Sequence, residues 1–159
     1  YTPMTAREWD TETVESMIDT NLMGLVRVVS AVLPGMIQRD SGHLVVTGSL
    51  AGFRWLPGTV GYAASKAGVV SLTESLHADL RGSGVSIQLI NPGFVRTRMT
   101  AKNNFRMPFI MEPDKAARYM FEHMCSDNFR LTFPVPLSTF FRWSQLLPDG
   151  LFFRMVGSL

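Results

Sequence analysis

A single cysteine, Cys125, among 159 residues rules out an internal disulfide and fits a reducing compartment, the cytoplasm. Its place in a helical pattern reads as a small buried hydrophobe rather than a nucleophile. No uninterrupted apolar run reaches the roughly 20 residues that span a bilayer. Neither sign of charge dominates. The 15 basic and 13 acidic side chains leave a net +2, and no block of Lys and Arg forms a patch that would suit nucleic acid. The three histidines, His43, His77 and His123, lack the spacing of metal ligands and read as surface or strand-edge residues. A glycine-rich turn between a first strand and a first helix is also missing, and Tyr1-Thr2-Pro3-Met4 reads as the middle of a loop. The chain is therefore expected to be the C-terminal part of a longer protein.

What is present is 46% hydrophobic and 18% charged, enough for one domain over 1–159 with a real core. Val14, Ile18, Leu22, Leu25, Val29, Val32 and Leu33 recur at helical spacing and predict one long helix or a pair over 11–39. Asp10 or Thr11 caps its start, and Pro34 bends or breaks its end. A strand is predicted over 43–47, then a Gly/Pro-punctuated loop over 50–58. A helix from about Val60 to Arg81 follows, with an apolar stripe of Ala64, Ala67, Val70, Leu72, Leu76 and Leu80, ended by Gly82 and Gly84. A second strand covers 85–90. Strand, crossover helix and strand imply a right-handed parallel connection. Beyond an irregular 94–111 loop, Pro113 opens a helix to about Cys125. A third strand runs from Leu131 to Val135, and an apolar, aromatic tail fills 137–159, broken at Pro148-Asp149-Gly150. The tail reads as a pocket wall or subunit contact first, and as a membrane-surface helix second.

The chemistry centres on Gly61-Tyr62-Ala63-Ala64-Ser65-Lys66. A helix sets Tyr62 and Lys66 on one face. An ammonium beside a phenol favours the phenolate, and a Tyr so placed can serve as a general acid or base. Such pairs also occur on ordinary solvated faces. The surroundings set this one apart. Ser49 directly follows an apolar strand, where ligands of open α/β sheets bind. Asn21 lies within an apolar helix, where an amide implies either a specific bond or a kink. Asn91-Pro92-Gly93 ends the second strand, with Gly93 free to lie against a flat ring.

These segments, in this order and spacing, resemble the short-chain dehydrogenase/reductase family from about residue 8 to about residue 125. The resemblance implies an α/β fold, an incomplete Rossmann-like doubly wound parallel sheet of about three C-terminal strands with flanking helices. It implies an NAD(P)-dependent oxidoreductase that interconverts a carbonyl and a secondary alcohol, with Asn21, Ser49, Tyr62 and Lys66 as the catalytic set. Tyr62 would exchange the proton, and Ser49 would orient and polarise the reacting oxygen. Lys66 would hold the nicotinamide ribose and lower the Tyr62 pKa, and Asn21 would support a water relay to Lys66. Pro92, Gly93, the Val95 backbone and Thr97 would grip the carboxamide of NAD or NADP. The segment that chooses between the two is not in the chain. The long helices resemble those that pair subunits, so the parent is expected to be a homodimer or homotetramer. Phe105, Met107, Phe109 and Met111 in the 94–111 lid either face an apolar small-molecule substrate or cover the core. The alternative reading is a truncated, non-catalytic fragment acting at most as a helix-mediated interaction module.

Overall fold

A computed structural model of the chain describes residues 1–54, 56 and 58–156. Trp55 and Pro57 of the predicted 50–58 loop, and the last three residues of the apolar tail, lie outside the described residues. Three parallel strands form one sheet in the order β1 (Gly42–Thr47), β2 (Val85–Pro92) and β3 (Arg130–Phe133). Gly42 pairs with Val85 and Thr47 with Ile90, while Leu89 pairs with Arg130 and Pro92 with Phe133. Parallel neighbours need a long crossover. α3 (Val60–Asp79) supplies it between β1 and β2, and α4 (Pro113–Met124) between β2 and β3. The fold is thus the expected α/β arrangement of three strands and flanking helices. Val85, Ile87, Leu89 and Ile90 of β2 are buried, as a central strand covered on both faces requires. Among the described residues β1 and β3 are the edges.

Asp10 caps α1 (Thr11–Ile18) by accepting the Thr13 N–H at 3.0 Å. The helix then passes through a π-helical turn, Asp19–Met23, into α2 (Gly24–Gln38). The predicted break at Pro34 does not occur, because Pro34 lies inside α2. Pro34 and Ser30 one turn before it are both exposed, so the carbonyl deprived of its hydrogen bond lies on the solvent side.

The stripe predicted for α3 is also corrected. Its buried face is Gly61, Ser65, Val69, Val70 and Thr73, whereas Ala64 and Ala67 are exposed. Small residues dominate because another helix comes close. A Cβ at Gly61 would lie 2.7 Å from the Met17 side chain, and one at Gly68 2.7 Å from Leu22. Apolarity alone does not rank burial on such a face.

α4 turns Ala116, Met120 and His123 inward at i, i+4 and i+7. His123 is therefore buried, only 7% exposed, against its reading as a surface residue. The same phase leaves Cys125, the residue that caps α4, exposed rather than buried. His77 stacks on Phe129 with ring centroids 4.0 Å apart. The tail forms α5 (Val135–Ser144) and α6 (Asp149–Val156), the latter starting at the expected break. Two apolar clusters result. Ile90, Met111, Ala116 and Phe133 pack between β2, β3 and α4, and Leu50, Leu137 and Phe141 join α5 to the turn after β1.

Candidate active site

β1 ends at Thr47, and the chain turns through Gly48 and Ser49 into the short 3-10 turn Leu50–Gly52. Ser49 is extended, and its Oγ accepts the Ala51 N–H at 3.1 Å. Tyr62 and Lys66 occupy the first two turns of α3, beside that strand end. The Lys66 Nζ donates to the Thr47 carbonyl at 3.0 Å and lies 5.9 Å from the centroid of the Tyr62 ring. Ser49, Tyr62, Pro92 and Gly93 line one cavity of about 80 Å³. The structure therefore brings together the two hydroxyls and the Pro-Gly turn, with the ammonium beside the Tyr62 ring. Leu50, Leu56, Phe94, Phe105, Leu137 and Phe141 give the cavity apolar walls.

Asn21 sits in the π-helical turn, and the specific bond is present. Its Nδ2 donates to Ser65 Oγ at 3.0 Å, and Ser65 Oγ donates to the Tyr62 carbonyl at 2.8 Å. Asn21 is thereby tied to the backbone turn that carries Tyr62, and its side chain is bonded to Ser65 rather than to Lys66. It lines a separate, more polar depression with Thr13 and Thr20. Val95 and Thr97 are not among the residues lining the main cavity. Val95 forms an isolated bridge with Met111, and the Thr97 N–H donates to Thr100 Oγ1 at 2.9 Å.

The 94–111 loop divides between the two expected roles. Phe105 lines the cavity edge-on to Phe94, Met111 joins the core, and Phe109 is exposed at a positive φ of 58°. Sequence reasoning missed Tyr1. Its ring meets the Tyr62 ring edge-on at 4.9 Å, and its Oη donates to Asn103 Oδ1 at 3.0 Å, joining the first segment to the lid. Nothing in the order of residues signals that contact.

Burial pushes the Tyr62 phenol above its ordinary pKa, while the neighbouring Ser49 hydroxyl acts in the opposite direction. Burial thus outweighs the lowering expected from Lys66. Burial holds the Lys66 ammonium below its own ordinary value, and its proton is directed at the Thr47 carbonyl. Burial and the Tyr62 phenol together raise Tyr1 as well.

The donor set suits the ribose of a nicotinamide nucleotide. An ammonium has three N–H donors; Thr47 takes one, which leaves two for a vicinal diol. Gly93 is also confined by the protein itself. A Cβ there would lie 2.9 Å from Pro134 Cδ and 3.1 Å from the Leu50 side chain. No cluster of metal-ligating side chains occurs among the described residues.

Comparison with known proteins places the site in context. The family model described as short chain dehydrogenase matches residues 2–107. An uncharacterized oxidoreductase from Myxococcus xanthus is 46% identical over 141 residues, which cover 89% of this chain and 56% of that protein. Serine dehydrogenase from Escherichia coli superposes with a TM-score of 0.70 at 30% identity, over 86% of this chain and 60% of that one. The closed form of serine dehydrogenase complexed with NADP+ gives 0.59 at 32% identity, over 92% and 55%. The chain spans about half the length of the curated relatives it matches.

Proposed function

Because the chain belongs to the short-chain dehydrogenase family, we propose that the protein containing it is an NAD(P)-dependent oxidoreductase interconverting a carbonyl and a secondary alcohol. The observation that carries the reading is that Ser49 and Tyr62 open on one cavity while Lys66 lies against the Tyr62 ring. In the reductive direction the Ser49 and Tyr62 hydroxyls donate to the substrate oxygen, where negative charge develops. Tyr62 then passes its proton to that oxygen; in oxidation it takes the proton back. Lys66 holds positive charge near the phenol and offers its two remaining donors to the ribose. The bound nicotinamide supplies or accepts the hydride. Pro92 and Gly93, beside the two hydroxyls, form the wall for the ring, with Val95 and Thr97 following on the same segment. Asn21 fixes the helical turn that presents Tyr62. NADP is the cofactor held by a related serine dehydrogenase, and both NAD and NADP are to be tried.

The apolar walls favour a substrate whose carbonyl is flanked by hydrocarbon. In the complete protein, Tyr62→Phe should lower turnover by roughly 10²–10⁴-fold, while NADPH still binds in calorimetry. Near-normal turnover would overturn the assignment.

A second reading applies to the 159 residues on their own. They cover 56% of the Myxococcus relative, and β1 lies at a sheet edge. An unpaired strand edge invites association. We expect the isolated chain to aggregate and to show no saturable NADPH binding by calorimetry; a clean binding isotherm would refute this.

A further inference from the structure

One buried polar side chain has no part in the steps above. β1 and β2 stay paired one residue beyond Thr47, where the Gly48 N–H donates to the Ile90 carbonyl at 2.8 Å. The backbone then turns away into the 3-10 turn, and Ser49 leaves the ladder. The Asn91 side chain supplies the missing rung: its Oδ1 accepts the Ser49 N–H at 3.1 Å. Asn91 is fully buried, at 0% exposure. The approach is close, since a Cβ on Gly48 would lie 2.1 Å from Oδ1. The other half of the amide gains nothing, because Nδ2 is buried without a partner. A buried unsatisfied donor is destabilising, and an alanine or valine would fill the strand end without one. The amide is retained at this position for its acceptor oxygen.

We propose that Asn91 is a positioning residue that holds Ser49 in register with Tyr62, a role that rests on the acid–base reading of that pair. Ser49 is gripped at two points. Its N–H is fixed on β2 by Asn91, and its Oγ accepts from Ala51 in the next turn. With that lone pair engaged, the hydroxyl hydrogen is left to point into the cavity. Loss of the first grip frees the residue to rotate and withdraws the hydroxyl from the phenol.

The test uses the complete protein and needs no substrate. Two quantities are read: deuterium exchange of the Ser49 amide, and ionisation of Tyr62 by ultraviolet difference against Tyr62→Phe. Asn91→Ala should speed exchange at Ser49 by about tenfold or more. It should also shift Tyr62 ionisation to higher pH, as Ser49→Ala does, and the double variant should shift it no further than either single one. Asn91→Asp keeps an acceptor in place and should keep the amide protected. Asn91→Ser, too short to reach, should behave as Asn91→Ala and serves if the alanine variant does not fold. A Tyr62 titration that is unchanged in Asn91→Ala and Asn91→Ser, while Ser49→Ala moves it, overturns the role of Asn91 and leaves the acid–base reading standing. Failure of Ser49→Ala itself to move Tyr62 shows that the two hydroxyls are not coupled and overturns the proposal, while the acid–base reading is judged by the turnover of Tyr62→Phe.

Discussion

Burial acts on Tyr62 and Lys66 in one sense, favouring the uncharged form of each, but the two influence stability oppositely. Lys66 has a depressed pKa in the folded chain, so the unfolded chain keeps the proton to higher pH. Stability should therefore rise with pH up to the ordinary lysine range near 10.4. Tyr62 has a raised pKa, so above about pH 10 the unfolded phenol ionises first and stability falls. In the complete protein, Lys66→Met should flatten the rise in urea midpoint as pH approaches the ordinary lysine range from below. An unchanged slope would show that Lys66 is not the residue carrying it. Much of the site was legible at this scale. Tyr62 and Lys66 share a helix face through their spacing, and Ser49 follows directly from an apolar strand. The Tyr1 contact with Tyr62 and the Asn91 bond to Ser49 were not legible, because each joins segments that only the tertiary fold brings together. The raised pKa of Tyr62 was not legible for the same reason. Spacing places a cation nearby but says nothing of the burial that outweighs it.

At the level of elements, Gly82 and Gly84 both mark the end of α3, for different physical reasons. Gly82 has φ +86° with open space around it, whereas a Cβ on Gly84 would lie 1.8 Å from the Asp40 backbone oxygen. Gly82→Ala should cost about 1 kcal/mol from backbone strain alone. Gly84→Ala should cost more, about 1–3 kcal/mol, because a backbone atom must move. Urea midpoints of the two variants check the order, and the reverse order would contradict the geometry. The strands and crossover helices were readable from hydrophobic runs and glycine punctuation. Pro34 does not break α2 because a proline on a solvent-facing turn leaves only an exposed carbonyl behind. Asn21 marked the stretch of the π-helical turn as irregular, but an amide in an apolar helix does not by itself distinguish an extra residue per turn from a bond or a kink. The inward face of α3 escaped notice, because glycine and serine, not leucine, allow another helix to approach.

Across the whole molecule, apolar surface is left open on two sides. The continuous helix Thr11–Gln38 is 28 residues long and holds an 18-residue stretch of mean hydropathy 1.5, enough by length and composition alone to cross a membrane. It nonetheless packs on α3 through Gly61, Gly68 and the Asn21–Ser65 bond. On the other side, α5 turns Leu137 and Phe141 into the cavity, as the pocket-wall reading of the tail expected. Its outward Val135 and Trp143, and Leu146 just beyond its end, are 71%, 67% and 74% exposed. The subunit-contact reading expects the double change Trp143→Ser with Leu146→Ser to lower the sedimenting mass of the complete protein. The same change should leave co-sedimentation with phosphatidylglycerol vesicles unchanged. Loss of vesicle binding at constant mass would favour a lipid surface instead. The π-helical turn also sets a limit on length. Deleting one residue from Asp19–Met23 would rotate the preceding helix by about 100° against the following one. Either Val14 and Met17 would then swing away from Gly61, or the amide of Asn21 would lose its serine. Insertions and deletions should therefore be rejected in that five-residue stretch.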